Sequence, residues 1–368
     1  MRLALSDLRW RLSHKGPQAG VVFAAALVAA ILTLLAGATR ADARTFDSAD
    51  TPDPFVLLHS GRYFAYSTNS NLRLCDGSVD FMWVPHRSST SLRSFGSPSS
   101  PACFADVMPR GPGAWASREP GWVWAPTVFR NASNGRFVLL YTARRAGTEQ
   151  MCIGRAEAGA PGGEFVADSS PLICPSGGNW AIDPNAYVSS STHNVYLQWR
   201  QDPSAHESRL YGARYSRDGR TRVTAASLML SSNDLSWDGG TIENAAVHYF
   251  GGNWYLYFSG GPWDSPNYAT GVASCGSSIT GPCSLRYTYT RPWLGWSARS
   301  GGDPFFTTPE DLPGPGGLSF ASISTGGFVK GSDGMPYIAI HWWWGGPPRP
   351  FAMSRLVYSD YGPVPIDY

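Results

Sequence analysis

Charge is scarce in this chain: 29 Lys+Arg and 27 Asp+Glu among 368 residues amount to 15%, against about 25% in ordinary soluble proteins. Lysine is nearly absent, with Lys15 and Lys330 the two examples. A net charge of +2 supplies no basic stripe to neutralise phosphates, which excludes a nucleic-acid partner. After residue 44 there is no sustained 3.6-residue apolar period, so folds that alternate strand and helix are disfavoured. No C-x-x-C pair occurs, and with it goes the usual zinc-site spacing. What is abundant is aromatic residues, at 13%, together with 41 Gly and 29 Pro. Large apolar rings argue against disorder. Gly and Pro at nearly one residue in five interrupt helices and favour short strands joined by turns.

The single long apolar run is at the N-terminus. Arg2, Arg9, Arg11 and Lys15 precede Val21 to Ala38, and small residues follow at Ala41 and Ala43. This is the layout of a signal peptide, or of an N-terminal membrane anchor if it stays uncleaved. Residues 1–43 are therefore read as an address and 44–368 as the exported domain, secreted or tethered to the outer face of the cytoplasmic membrane. Export makes disulfides the default for six cysteines. They stand in three separated pairs, so Cys75 is expected with Cys103, Cys152 with Cys174, and Cys275 with Cys283.

Five segments repeat one pattern: a short polar start, an apolar strand, a turn rich in Gly, Asn or Ser, and a second strand ending in aromatics. They run from Asp53 to Thr68, Ala125 to Ala143, Asp183 to Arg200, Glu243 to Gly260 and, more weakly, Ser324 to Trp342. Further strand-like runs follow, as at Cys152 to Ala158, Leu210 to Ser216, Tyr268 to Cys275 and Ser354 to Asp360. A period of about 60 to 80 residues fits a four-stranded blade carrying loop insertions. The expected fold is all-β, a five-bladed β-propeller. A β-sandwich would share the short strands and turns but not the fivefold similarity.

The innermost strand of each blade lines a central channel, so residues at matching positions converge there. Asp53, Asp183 and Glu243 start the first, third and fourth units. Either Asp-Pro taken singly is a common turn cap, and Glu243 singly could be a solvated acid. Three acids at one phase of a repeat are more specific than any one of them. Converging carboxyl groups repel and raise at least one pKa, which separates an acid from a base at neutral pH.

With PDPFVLLHSGRYFAYST at Pro52, WAPTVF at Trp124, AIDPNAYV at Ala181 and TIENAAVHYFGGNWYLYFSG at Thr241, the chain resembles glycoside hydrolase family 43. The likeness covers most of the chain from about Thr51 to His341. The resemblance implies a five-bladed propeller that hydrolyses arabinose- and xylose-containing glycans with inversion. Carried over, the family's general base falls on Asp53, its general acid on Glu243, and the acid that tunes the general acid on Asp183. The chain departs from the family pattern at Thr127, where an acid often follows W-A-P, and at Asn244-Ala245, where Gly-Pro often follows the general acid. It departs again at Gly317-Leu318-Ser319, where many members carry a Gly-His pair beside a central metal. No cofactor or metal is expected, and a channel calcium carries little weight.

Indole faces stack on sugar rings, which makes Trp124, Trp180 and Trp263 candidate substrate contacts, with His341 as a channel candidate. Trp83 and the run Trp342 to Trp344 compete with them. The partner implied is an oligo- or polysaccharide, and the protein is expected to be a monomer. The competing readings are a retaining fructan-active or galactofuranoside-active propeller hydrolase and a non-catalytic carbohydrate-binding propeller.

Overall fold

The computed structural model describes residues 49–91, 95, 103–204, 207–264 and 268–285, and the strands that lie between 318 and 365. The expected N-terminal address lies outside the described residues. Among the described residues the fold is all-β, interrupted by two 3-10 turns at Ser176–Gly178 and Ser232–Asp234. Its sheets follow one another along the chain in a β-propeller arrangement.

The first blade contains β1 (Phe55–His59) and β2 (Arg62–Tyr66), then an inserted hairpin of β3 (Ser70–Arg73) and β4 (Val79–Met82), then β5 (Pro85–Ser89) and β6 (Ala105–Asp106). It pairs in the order β1-β2-β5-β6, with β3 and β4 pairing apart. The second blade is β7 (Val123–Arg130), β8 (Phe137–Arg144), β9 (Met151–Ala158) and β10 (Val166–Ala167). The third is β11 (Ala181–Val188), β12 (Val195–Ser204), β13 (Glu207–Tyr215) and β14 (Ser227–Ser231). The fourth is β15 (Ile242–Phe250), β16 (Asn253–Gly260), β17 (Ala269–Gly276) and β18 (Ser284–Leu285). These three blades pair strictly in sequence order.

Four such four-stranded blades are seen where five were expected. The last repeat forms a five-stranded sheet from β19 (Leu318–Ala321), β20 (Val329–Lys330), β21 (Pro336–Trp342), β22 (Phe351–Ser359) and β23 (Gly362–Pro365). Its strand opposite β21 at His341 is β19, where Ser319 faces His341, and not a strand starting at Ser324. Ser324 lies outside the described residues.

Strand β8 explains why apolar runs with little alternation became strands. Its residues Phe137 to Ala143 are all buried, because blades cover both faces of it. Successive side chains of a strand point to opposite faces. Leu139 and Tyr141 accordingly join Phe55, Leu57, Tyr66 and Phe165 in a core between the first two blades. Val138 and Leu140 join Phe129, Leu197 and Trp199 in a core between the second and third. A third such core places Leu210 and Met229 against Val247, Leu256 and Phe258.

Local backbone chemistry fixes the register. Ser60 and Gly61 both have positive φ, 49° and 74°, the two-residue turn whose twist suits a hairpin, and His59 pairs with Arg62. Gly154 pairs with Tyr141, and a Cβ there would lie 2.4 Å from the Tyr141 ring. The ring therefore lies flat over the glycine.

All three disulfides form between the expected partners, Cys75–Cys103, Cys152–Cys174 and Cys275–Cys283. Cys103 and Cys283 stand next to the two-residue outer strands β6 and β18, and Cys152–Cys174 closes the start of β9, where Ile153 bridges Ile173. A pair of residues makes too few ladder bonds to hold an edge, so the covalent tie does part of that work.

Candidate active site

The residues that face the channel are placed by one backbone device repeated in four blades. Asp53, Ala125, Asp183 and Asn244 have φ of 50°, 46°, 55° and 55°, the left-handed region that non-glycine residues rarely enter and that Asp and Asn tolerate best. In three blades this coincides with a β-bulge. The register skips between Trp124 and Thr127, between Ile182 and Asn185, and between Glu243 and Ala246. A bulge leaves residues unpaired and re-aims their side chains.

This register corrects one expectation. Asp53 and Asp183 match, but the residue at their phase in the fourth blade is Asn244. Glu243 precedes it and pairs with Ser259, level with Trp124 opposite Thr142 and Ile182 opposite Arg200. The three acids still line one cavity of about 400 Å³, together with Thr68, Trp124, Trp180, Arg200, Trp263, Tyr268 and His341.

Asp53 is held at both ends. Its N–H donates to His341 Nδ1 at 2.9 Å, and its Oδ2 accepts from Thr68 Oγ1 at 2.6 Å. Thr68 Oγ1 in turn accepts the Ala125 N–H at 2.8 Å. The same latch recurs one blade on, where Thr142 Oγ1 accepts the Asp183 N–H at 2.9 Å. A hydroxyl or imidazole at the end of one blade's second strand thus binds the left-handed residue of the next.

Asp183 is buried, and its Oδ2 accepts the Asn244 N–H at 3.3 Å. Burial pushes its pKa well above the ordinary carboxylate range, and the neighbouring charges of Glu243 and Asp53 push the same way. Arg200 and the Asn244 amide oppose this and lose.

Glu243 accepts at both oxygens, from Tyr268 Oη at 2.7 Å and from Arg200 Nη1 at 2.6 Å. Tyr268 Oη also receives the Asn244 side-chain amide at 3.1 Å, which commits its own proton to Glu243. Arg200 is gripped by Asp202 through Nε at 2.7 Å and Nη2 at 2.8 Å.

Trp124 and Trp180 stand together on the cavity wall, ring centroids 6.4 Å apart. Trp124 is backed by Trp122 at 5.6 Å, and Arg144 lies over the Trp122 ring at 4.1 Å. Trp263 is 57% exposed at the cavity. His341 is 3% exposed and stacks on Tyr268. Its Nδ1 accepts a backbone proton, so the 3.9 Å approach to Asp53 Oδ1 is not an ion pair. Trp83 packs on Phe81 and the first core and does not line the cavity. Trp343 and Trp344 lie outside the described residues, and Trp342 is described for its backbone alone.

Thr68, Arg200 and Tyr268 were not singled out from the sequence as site residues, and Asn244 was marked only as a departure from the family pattern. Thr68 and Thr142 had a weak signal, since each stands one or two residues after a buried tyrosine near the end of a second strand, in AYST and LYTA. Tyr268 follows a loop with no motif. A smaller cavity in the channel shares Asp53, Asp183 and Asn244 with the first and is otherwise walled by Phe55, Ala125, Pro126, Thr127, Pro184, Asn185 and Ala245. Among the described residues no group of three or more His, Cys, Asp or Glu could hold a metal.

Three carboxyl groups and three indoles on one cavity of a propeller are the parts with which a glycoside hydrolase works. The chain belongs to glycosyl hydrolases family 43, whose family model matches residues 45–297. No curated protein matches significantly. Solved structures that resemble it include a thermostable family-43 glycoside hydrolase, with 19% identity, TM-score 0.61, and coverage of 86% of this chain and 93% of that one. An endo-1,4-β-xylanase from Bacteroides thetaiotaomicron has 18% identity and TM-score 0.62, over 87% of this chain and 97% of that one. An α-L-arabinofuranosidase from Lactobacillus brevis has 17% identity and TM-score 0.60, over 89% and 97%. The three disulfides and the family both fit an extracellular protein.

Proposed function

We propose that this protein is a secreted glycosidase that cleaves arabinofuranosyl- or xylosyl-type linkages of a polysaccharide, with inversion and without a metal. The observation that carries this reading is the convergence of Asp53, Asp183 and Glu243 with Trp124, Trp180 and Trp263 on one cavity. Its volume of about 400 Å³ lies within the usual range for small-molecule sites. The only arginine on its wall among the described residues is already matched by Glu243 and Asp202, so the site favours a neutral sugar.

In this reading Asp53 takes a proton from the water that attacks the anomeric carbon, and Glu243 gives a proton to the departing oxygen. An inverting pair holds its carboxyl groups about 6.5 to 9.5 Å apart to admit that water. Glu243 accepts two hydrogen bonds in the free protein. To donate, it takes up a proton and turns one oxygen from Tyr268 or Arg200 to the glycosidic oxygen. The buried Asp183 lies between the two and tunes Glu243. The same reading makes the ring five-bladed, with β19–β23 as the fifth blade. Supporting this, β19 lies beside β15, and His341 on β21 bonds to Asp53 of the first blade.

The test is turnover by the full chain on aryl α-arabinofuranosides, aryl β-xylosides, aryl galactofuranosides and sucrose. Hydrolysis of one of the pentosides is expected. Glu243→Gln and Asp53→Asn should each lower kcat by about 10²- to 10⁴-fold, the usual contribution of an acid or base. Binding without turnover on every substrate would favour a lectin-like protein, and full activity in either variant would overturn the assignment.

A further inference from the structure

We infer that Thr68 is a positioning residue that dedicates one oxygen of Asp53, Oδ1, to the attacking water. The inference rests on the reading of Asp53 as the base. A threonine hydroxyl has one proton to give. Because Oγ1 accepts the Ala125 N–H at 2.8 Å, its own proton points away from that amide and toward Asp53 Oδ2 at 2.6 Å. The bond is as short as hydroxyl–carboxylate bonds usually are. Oδ2 is thereby occupied, and the carboxylate plane is fixed with Oδ1 as its other acceptor.

The backbone of Asp53 is pinned as well. Its N–H donates to His341 Nδ1, and its φ of 50° leaves the side chain on the channel side. Asp53 is therefore held at its carboxylate by Thr68, whose hydroxyl is itself fixed by the Ala125 N–H of the second blade, and at its backbone by His341 of the C-terminal sheet. The comparison with Thr142 separates this role from simple blade packing. Thr142 accepts the Asp183 N–H in the same way, but the left-handed residue of its own blade is Ala125, which has no carboxyl group to orient. The latch recurs at three junctions between blades, and the second bond to a carboxylate is added where the base stands.

In the reaction, a proton passes from water to Asp53 Oδ1 as the water oxygen bonds the anomeric carbon. The anomeric carbon–oxygen bond breaks, and the leaving oxygen takes its proton from Glu243. Oδ2 keeps its bond to Thr68 throughout, so the carboxylate does not rotate during the transfer. Misplacing a reacting group by about 1 Å costs on the order of 100-fold in rate.

The experiment compares full-length wild-type protein with Thr68→Val and Thr68→Ser on the best aryl glycoside, measuring kcat, KM and Tm. Thr68→Val should lower kcat by about 10- to 100-fold, with KM within about twofold of wild type. Thr68→Ser keeps the hydroxyl and should restore kcat to within about threefold. A merely structural threonine would move Tm in the valine variant and leave kcat in place, and that result would overturn the inference. So would a serine variant as slow as the valine one. Should the valine variant fail to fold, the serine variant still tests the hydroxyl, because Thr68→Ala alongside it must then be the slower of the two. Asp53→Asn separates the two layers. If it is inactive while Thr68→Val turns over normally, the positioning role alone fails. If it remains active, the reading of Asp53 as base fails.

Discussion

At the scale of single residues, the site is made by backbone strain as much as by side-chain identity. Four residues in the left-handed region stand at the same phase of four blades, and three of them are Asp or Asn, the types that bear that conformation at least cost. Asp183 shows what convergence does. Burial first, and the charges of Glu243 and Asp53 next, raise its pKa, so the folded protein binds a proton there more tightly than the unfolded chain does. Stability from this group is complete below the ordinary carboxylate value of 3.8 and is lost as pH rises through the raised value. Asp183→Asn removes the ionisation and keeps an oxygen for the Asn244 amide. Its melting temperature should match the wild type near pH 4 and exceed it at pH 7, while its activity falls. A variant less stable than wild type at pH 7 would show that the buried charge is better compensated than the geometry indicates.

At the scale of elements, three of the four-stranded blades combine well-buried inner strands with a weak outer edge. Strands β6, β10 and β18 have two residues each, and each of those blades carries one disulfide. Cys152 and Cys174 are 22 residues apart, a loop whose closure stabilises by about 3 kcal/mol in the chain-entropy account. Replacing both by alanine should lower unfolding stability by roughly that amount in chemical denaturation. Adding a reductant should do nothing further to that tether. No loss of stability would mean that the blade edge is held by packing alone. The elements were largely legible in the sequence, because turn residues and aromatic strand ends recur. Cys75, Cys152 and Cys275 each found the partner nearest in sequence for the same reason: each pair staples one blade to itself. The phase within the bulge was not legible. A one-residue difference between Glu243 and Asn244 depends on where the ladder skips, and the repeat pattern of Glu243 to Gly260 is compatible with either.

At the scale of the whole molecule, the site exists only where blades meet. Asp53 comes from the first blade, Asp183 from the third and Glu243 from the fourth, while His341 from the C-terminal sheet holds Asp53 across 288 residues of chain. The repeat reads the three acids as convergent and sugar stacking singles out Trp124, Trp180 and Trp263, and all six residues line one cavity. Sequence alone reads His341 as a channel candidate, and the ring lines the cavity, anchors the backbone of Asp53 and stacks on Tyr268. It misses Arg200 and Tyr268, because Arg200 reaches Glu243 from the second strand of the neighbouring blade and Tyr268 from the start of the third strand of the same blade, and neither carries a motif. The central claim is that this ring hydrolyses a glycoside by a water-activating Asp53 and a proton-donating Glu243 on opposite sides of the bond. The most direct measurement is proton NMR of the first-formed sugar during hydrolysis of an aryl pentoside, read before mutarotation. The account predicts that the first product has the anomeric configuration opposite to the substrate's, and a first product of retained configuration would contradict it.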